Sequence, residues 1–343
     1  MELEDFSFQL PKQLIASFPL KERSLSKLLV VKDKFEDLIF KDLPNILSSK
    51  DVLVINDTKV TKARLFGRKQ TGTKVEILIE RLLTKNRVLI QTKSNSRIKK
   101  DDKIFLSESK EVLTLLEKQG DLWLAFFSNS PKKIIEKYGN VPLPPYIKRE
   151  ATSLDTKRYQ TVYADPKKKL SVAAPTAGLH FDHKLLEEIT SKGTRIAKIT
   201  LHVGMGSFKP IRDTSIKDHK MHKEFIEINK KAVYQINKAR NAGGRVICVG
   251  TTSVRCIEAV CQNNKGELRP FKGYTDIFIY PGFKFSLVDA LITNFHLPRS
   301  TLLLLVSAFG GNENIKLAYE YAVRKKYRFY SYGDVMFVNR NLE

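Results

Sequence analysis

Hydrophobic and polar positions change their period along this chain. Asp51-Val-Leu-Val-Ile-Asn56 is an unbroken apolar run closed by Asn56-Asp57-Thr58, the pattern of a buried strand entering a turn. After Lys62 the runs shorten. Val75–Leu83, Arg87–Thr92, Lys103–Leu106, Val112–Glu117 and Leu122–Phe127 are strand-like and are separated by Gly72, Asn86, Asp101-Asp102 and Gly120-Asp121. Short strands with turn residues between them predict a small antiparallel β-barrel. Pro131 opens a short helix that ends near Tyr138, and Pro142-Leu-Pro-Pro-Tyr146 follows as an extended linker. Beyond it, helical periodicity at 183–192, 230–242, 252–262 and 313–326 alternates with strand-like Ile196–Val203, Arg245–Val249 and Thr275–Tyr280. That alternation predicts an α/β (mixed α+β) layer. The strand at 51–56 shares its character. The expected organisation is therefore a discontinuous α/β catalytic domain, residues 1–61 plus 149–343, with the barrel inserted as residues 62–148.

Composition narrows the class. The 343 residues are 42% hydrophobic and 28% charged, as in a soluble globular protein with a full core. The longest apolar run, Thr301–Phe309, falls far short of the roughly 20 residues needed to cross a bilayer. The opening Met1-Glu-Leu-Glu-Asp5 is acidic and has no apolar segment behind it, so a cytoplasmic location is expected. Cys248, Cys256 and Cys261 match no zinc or redox spacing and are expected to be reduced and buried. A net charge of +23 predicts a polyanionic partner such as RNA, with a generally lysine-rich composition as the plainer explanation.

Three loops carry the candidate chemistry. Leu170-Ser-Val-Ala-Ala-Pro-Thr-Ala-Gly-Leu-His-Phe181 places Pro175, Thr176, Gly178 and His180 in one turn, a mixture unsuited to a core strand or an amphipathic helix. His202-Val-Gly-Met-Gly-Ser-Phe208 follows a strand, so Gly204 and Gly206 fall where ligands enter an α/β sheet; it lacks the third glycine of the dinucleotide fingerprint. Gly250-Thr-Thr-Ser-Val-Arg255 is a strand-to-helix turn whose free amides, three hydroxyls (Thr251, Thr252, Ser253) and Arg255 suit an anion; Thr252 or Ser253 as a simple helix cap is the alternative. His219 and His222 read as substrate contacts rather than a metal pair, with Glu224 a base or hydroxyl acceptor. Thr293-Asn-Phe-His-Leu-Pro-Arg-Ser-Thr301 offers His296 and Arg299, with Ser300 capping the next helix. Tyr327-Arg-Phe-Tyr-Ser-Tyr-Gly-Asp334 reads either as a base-stacking face or as the edge of the core.

These strings resemble the S-adenosylmethionine:tRNA ribosyltransferase-isomerases of queuosine biosynthesis, nearly end to end. The resemblance rests on Asp5–Pro11, Ile55–Val60, Ala63–Gly67, Leu143–Ile147, Arg158–Tyr163, the three loops, His219–His222, Ile292–Pro298 and Tyr327–Asp334; Leu170, Met205, Ser207 and Cys256 depart from its usual residues. It implies an α/β domain with an inserted barrel and a site near their junction. It also implies transfer of the ribosyl part of S-adenosylmethionine onto 7-aminomethyl-7-deazaguanine at the tRNA wobble position, giving epoxyqueuosine with release of adenine and methionine. S-adenosylmethionine would then be a consumed substrate, and no cofactor, metal or membrane is expected; the protein is expected to be a monomer. His180, His202 and Glu224 form the candidate catalytic pool. Two other readings remain: an α/β enzyme acting on a small phosphosugar, and a non-catalytic RNA-binding protein.

Overall fold

The computed structural model describes residues 2–32, 34–107, 109–204, 216, 219 and 221–341. In chain order the strands are β1 (Lys27–Val31), β2 (Glu36–Ile39), β3 (Val52–Asn56), β4 (Lys59–Val60), β5 (Arg64–Lys69), β6 (Lys74–Leu82), β7 (Arg87–Ser94), β8 (Lys103–Leu106), β9 (Val112–Gln119), β10 (Leu122–Phe127), β11 (Lys169–Ser171), β12 (Arg195–Leu201), β13 (Glu224–Ile228), β14 (Val246–Val249), β15 (Phe271–Thr275), β16 (Ala290–Asn294) and β17 (Val335–Asn339). The helices are α1 (Pro131–Tyr138), α2 (Ser153–Arg158), α3 (His183–Ser191), α4 (Lys230–Asn241), α5 (Thr251–Asn263), α6 (Thr301–Gly310) and α7 (Asn312–Arg324).

One large sheet runs β15-β13-β12-β3-β14-β16-β17-β1-β2. Its centre, β12, β3, β14 and β16, is parallel, while β13 and β17 flank it antiparallel. Parallel strands covered on both sides read as continuous apolar runs, and β3 is buried at every position. Val52 and Val54 face the core beneath α4 to α7, and Leu53 and Ile55 face the core on the other side, with Phe40, Phe181 and Leu185. Cys248, Cys256 and Cys261 are free and buried in the first of these cores.

Strands β5 to β10 close an antiparallel barrel in the order β10-β7-β6-β5-β8-β9, around Leu65, Ile77, Ile90, Leu113 and Phe127. Sequence periodicity misses β5, since Arg64-Leu-Phe-Gly-Arg-Lys69 is largely polar. Its Gly67 sits so close to β8 that a Cβ would stand 2.7 Å from both Ile104 Cγ2 and the Phe105 carbonyl.

One expectation needs correction. The strand placed at Thr275–Tyr280 is instead Phe271–Thr275, paired with β13, and it ends where Thr275 Oγ1 accepts from the Ile277 amide and turns the chain. Glu224 opens β13, and His222 precedes it in non-helical chain. Of the two readings of Tyr327–Asp334, the core edge is realised: Tyr327, Phe329, Tyr330 and Tyr332 are all buried. No helix among the described residues is long and apolar enough to cross a membrane.

Candidate functional site

The carboxyl ends of β12, β3, β14 and β16 open on one edge of the sheet, the place where open α/β sheets receive ligands. Two cavities meet there. A narrow inner cleft, partly open to solvent, is walled by Thr176, Gly250, Thr251, Thr252, Asn294 and His296 together with apolar Ala174, Val203, Phe295, Leu297 and Leu302. A wider pocket lies between sheet and barrel, walled by His202, Gly204, His222 and Glu224 on one side and by Glu80, Arg87 and Gln91 on the other. Val203 lines both.

The turn at the carboxyl end of β3 organises the wall between them. Asn56 holds the Leu201 backbone at both groups, at 3.0 Å each, and its amide reaches Thr252 Oγ1 at 3.3 Å. Asp57 takes hydrogen bonds from Thr200 Oγ1 (2.7 Å) and Lys168 Nζ (3.0 Å). Thr58 Oγ1 lies 2.8 Å from His202 Nδ1, and the ring stacks on Phe225. Burial, then the Lys168 ammonium, lower the His202 pKa to about 4, against a minor opposing effect of Glu227. The imidazole is neutral at physiological pH.

Glu224 is 4% exposed. Its Oε2 pairs with Arg255 Nη1 at 2.5 Å, and its Oε1 accepts the Gly204 amide at 2.9 Å. This revises the expectation that Arg255 meets an external anion. The guanidinium is 2% exposed, borders neither cavity and holds Glu224 in place. Ser253 leaves the expected anion site as well, because it is fully buried and its hydroxyl donates to the Val249 carbonyl. The rest of the loop faces the inner cleft. Gly250 has φ of +85°, a conformation natural to glycine, and turns β14 into α5 with no side-chain cap. No described group accepts from the amides of Thr251 and Thr252, so the positive end of a 13-residue helix opens on the cleft.

His180 sits behind the cleft wall. Its Nδ1 lies 2.5 Å from Ser26 Oγ and its Nε2 lies 3.0 Å from Asn294 Nδ2. Burial, followed by the charges of Arg23, Arg328 and Arg158, lowers its pKa to about 3. With both nitrogens engaged and no access to either cavity, it is not placed to exchange a proton with a ligand there. Gly178 has a packing role, since a Cβ would stand 2.0 Å from Tyr163 Oη. His296 reaches the inner cleft, its Nε2 held at 2.8 Å by Thr293 Oγ1, and burial lowers its pKa to about 3. Arg299 points to the surface, 3.4 Å from Glu4. His219 packs edge-on against Phe278. Gly206, like Met205 and Ser207, lies outside the described residues. No group of three or more His, Cys, Asp or Glu among the described residues could hold a metal ion.

Sequence reasoning missed four polar residues. Asn294 and Thr58 sat in quoted strings but were not singled out; each is a short polar residue at a strand's carboxyl end. Glu80 and Gln91 come from the barrel, with Gln91 Nε2 donating to Glu80 Oε1 at 2.6 Å. Glu80 falls where the β6–β7 register shifts between Ile79 and Arg81. A bulge re-aims a side chain in this way and leaves no mark on periodicity.

Comparison with known proteins agrees with this architecture. A family model described as Queuosine biosynthesis protein matches residues 3–338. The S-adenosylmethionine:tRNA ribosyltransferase-isomerase of Acinetobacter baumannii (strain AYE) is 45% identical over 342 residues, 99% of either chain. The one from Francisella philomiragia subsp. philomiragia is 46% identical over 343 residues, covering 98% of this chain and all of the relative. The crystal structure of S-adenosylmethionine tRNA ribosyltransferase from Thermotoga maritima superposes with a TM-score of 0.55 at 32% identity, covering 97% of this chain and 99% of that one. The chain belongs to the S-adenosylmethionine:tRNA ribosyltransferase-isomerase family of queuosine biosynthesis.

Proposed function

We propose that the protein moves the ribosyl part of S-adenosylmethionine onto 7-aminomethyl-7-deazaguanine at the tRNA wobble position, forming epoxyqueuosine and releasing adenine and methionine. S-adenosylmethionine is consumed as a substrate. What carries this reading in a member of this family is the pair of cavities that share Val203. One suits a small molecule, and the other, the larger, lies between sheet and barrel and is open to solvent, where an extruded base can enter. S-adenosylmethionine lies in the inner cleft with its sulfonium end toward Val203, and the tRNA base enters from the junction.

The 5′ carbon beside a sulfonium is acidified. His202, neutral and stacked on Phe225 at the meeting of the two cavities, is positioned as the base for that proton. Glu224 and Arg255 hold the Gly204 amide that follows it, and Thr58 fixes one ring nitrogen. Once the proton is removed, C5′ bonds to C1′ as adenine leaves with a proton, the aminomethyl nitrogen displaces the ring oxygen from C1′ and sheds a proton, and that oxygen closes the epoxide on C5′ as methionine departs. His180 acts by positioning rather than by proton transfer. The phosphosugar alternative finds no support in the relatives, which are tRNA ribosyltransferase-isomerases along their whole length.

The test is incubation with S-adenosylmethionine and precursor tRNA. Adenine and methionine are expected in equal amounts, and only when the precursor tRNA is present. Release of S-adenosylhomocysteine would contradict the assignment.

A further inference from the structure

Asn294 ends β16 on the wall of the inner cleft, 2% exposed, and only half of its side-chain amide is used. Its orientation follows from a chain of hydrogen bonds. Ser26 Oγ donates to the Arg23 carbonyl at 3.1 Å, so toward His180 it acts as acceptor, and His180 Nδ1 carries the proton. His180 Nε2 is then an acceptor and must face the Asn294 NH2 group. The Asp334 carbonyl, 3.3 Å from the same nitrogen, demands the same orientation. Asn294 Oδ1 is left buried with no partner among the described residues. A buried acceptor without a donor is costly, and on a cavity wall it points to a donor brought by a ligand.

The amides of Thr251 and Thr252 supply the opposite chemistry in the same cleft, two donors at the positive end of α5. Donors for an anion and an acceptor for an ammonium, set in one cavity with apolar walls at Ala174 and Leu302, describe a site for an α-amino acid. We propose that the inner cleft holds the amino-acid end of S-adenosylmethionine, with Asn294 Oδ1 accepting from the α-ammonium and the Thr251 and Thr252 amides donating to the α-carboxylate. Ser26 and His180 are positioning residues that turn the Asn294 carbonyl toward the ligand. This rests on S-adenosylmethionine being the substrate. The rival occupant is adenine, whose exocyclic amine would use the same acceptor.

Calorimetric titration of wild-type protein, Asn294→Ala and Ser26→Ala decides between them, with S-adenosylmethionine, its analogue lacking the α-amino group, and adenine as probes. Asn294→Ala is expected to weaken S-adenosylmethionine about 10- to 100-fold, the range of a charge-assisted hydrogen bond, and to change binding of the other two less than about threefold. Ser26→Ala alters no cleft residue and, in steady-state turnover with precursor tRNA, should raise the KM for S-adenosylmethionine more than it lowers kcat, which keeps the test open if Asn294→Ala fails to fold. Equal weakening of S-adenosylmethionine and the amine-free analogue, no weakening of either, or selective loss of adenine would overturn the proposal. So would a Ser26→Ala effect confined to kcat. Failure of S-adenosylmethionine to bind the wild-type protein even with precursor tRNA present would instead sink the functional assignment on which the proposal rests.

Discussion

Replacing Arg255 by methionine tests the least exposed ion pair among the described residues. Arg255 Nη1 and Glu224 Oε2 are 2.5 Å apart, with side chains 2% and 4% exposed, so neither charge falls back on water if its partner is removed. Arg255→Met keeps most of the side-chain volume and leaves the Glu224 carboxylate buried without its cation. Breaking a buried pair in this way costs about 3–5 kcal/mol, whereas replacing both members by apolar groups is often neutral. Arg255→Met and Glu224→Leu should therefore each destabilise by about that amount, and the double variant by less than their sum, with a coupling of about 2–3 kcal/mol, because Glu224→Leu also gives up the Gly204 amide. Urea unfolding followed by far-UV circular dichroism is the appropriate assay, because the single tryptophan, Trp123, reports only on the barrel. kcat/KM should fall in all three variants, since each disturbs the carboxylate that anchors Gly204. Additive losses, or an Arg255→Met cost below about 1 kcal/mol, would refute the assignment of Arg255 as the internal partner of Glu224.

Acidification should destabilise the fold. His180, His202 and His296 titrate near 3, 4 and 3, below the usual 6.5, so the folded chain binds fewer protons than the unfolded one as pH falls from 6.5 toward 4. Stability is lost through that window, by about 2 kcal/mol at pH 5 for His180 alone, and urea midpoints at pH 7 and 5 should show His180→Gln less sensitive; equal sensitivity would contradict this. The +23 charge predicts that the logarithm of tRNA affinity falls linearly with the logarithm of salt concentration, at a slope of about −0.7 to −0.9 per phosphate contact. Filter binding between 50 and 200 mM salt, roughly the range over which such contacts act, checks it, and a flat response would leave the charge as composition alone.

The sequence shows those parts of the site that are local in the chain. Gly250-Thr-Thr252 reads as a helix opening after a strand because glycine, hydroxyls and the flanking apolar runs are contiguous, and β14 and α5 form there. The barrel is legible for the same reason, apart from β5, where a polar strand is held by the close approach of Gly67 to β8. What stays hidden depends on partners far along the chain. Arg255 looks like an anion ligand until β13 brings Glu224 to it from 31 residues away. His180 looks like an exposed base until Ser26, 154 residues distant, and Asn294, 114 residues distant, occupy both its nitrogens. Polar residue type announces chemistry, but only folding decides whether the atom faces a ligand or another side chain.

The most direct test of the central claim uses S-adenosylmethionine carrying two deuterons on its 5′ carbon, followed by mass spectrometry of the wobble nucleoside. If the ribose-derived skeleton is transferred after a proton is taken from that carbon beside His202, the modified nucleoside gains the ribose-derived mass and keeps one deuteron, the other having passed to solvent. A methyl-sized gain, or a product holding both deuterons, would contradict the account.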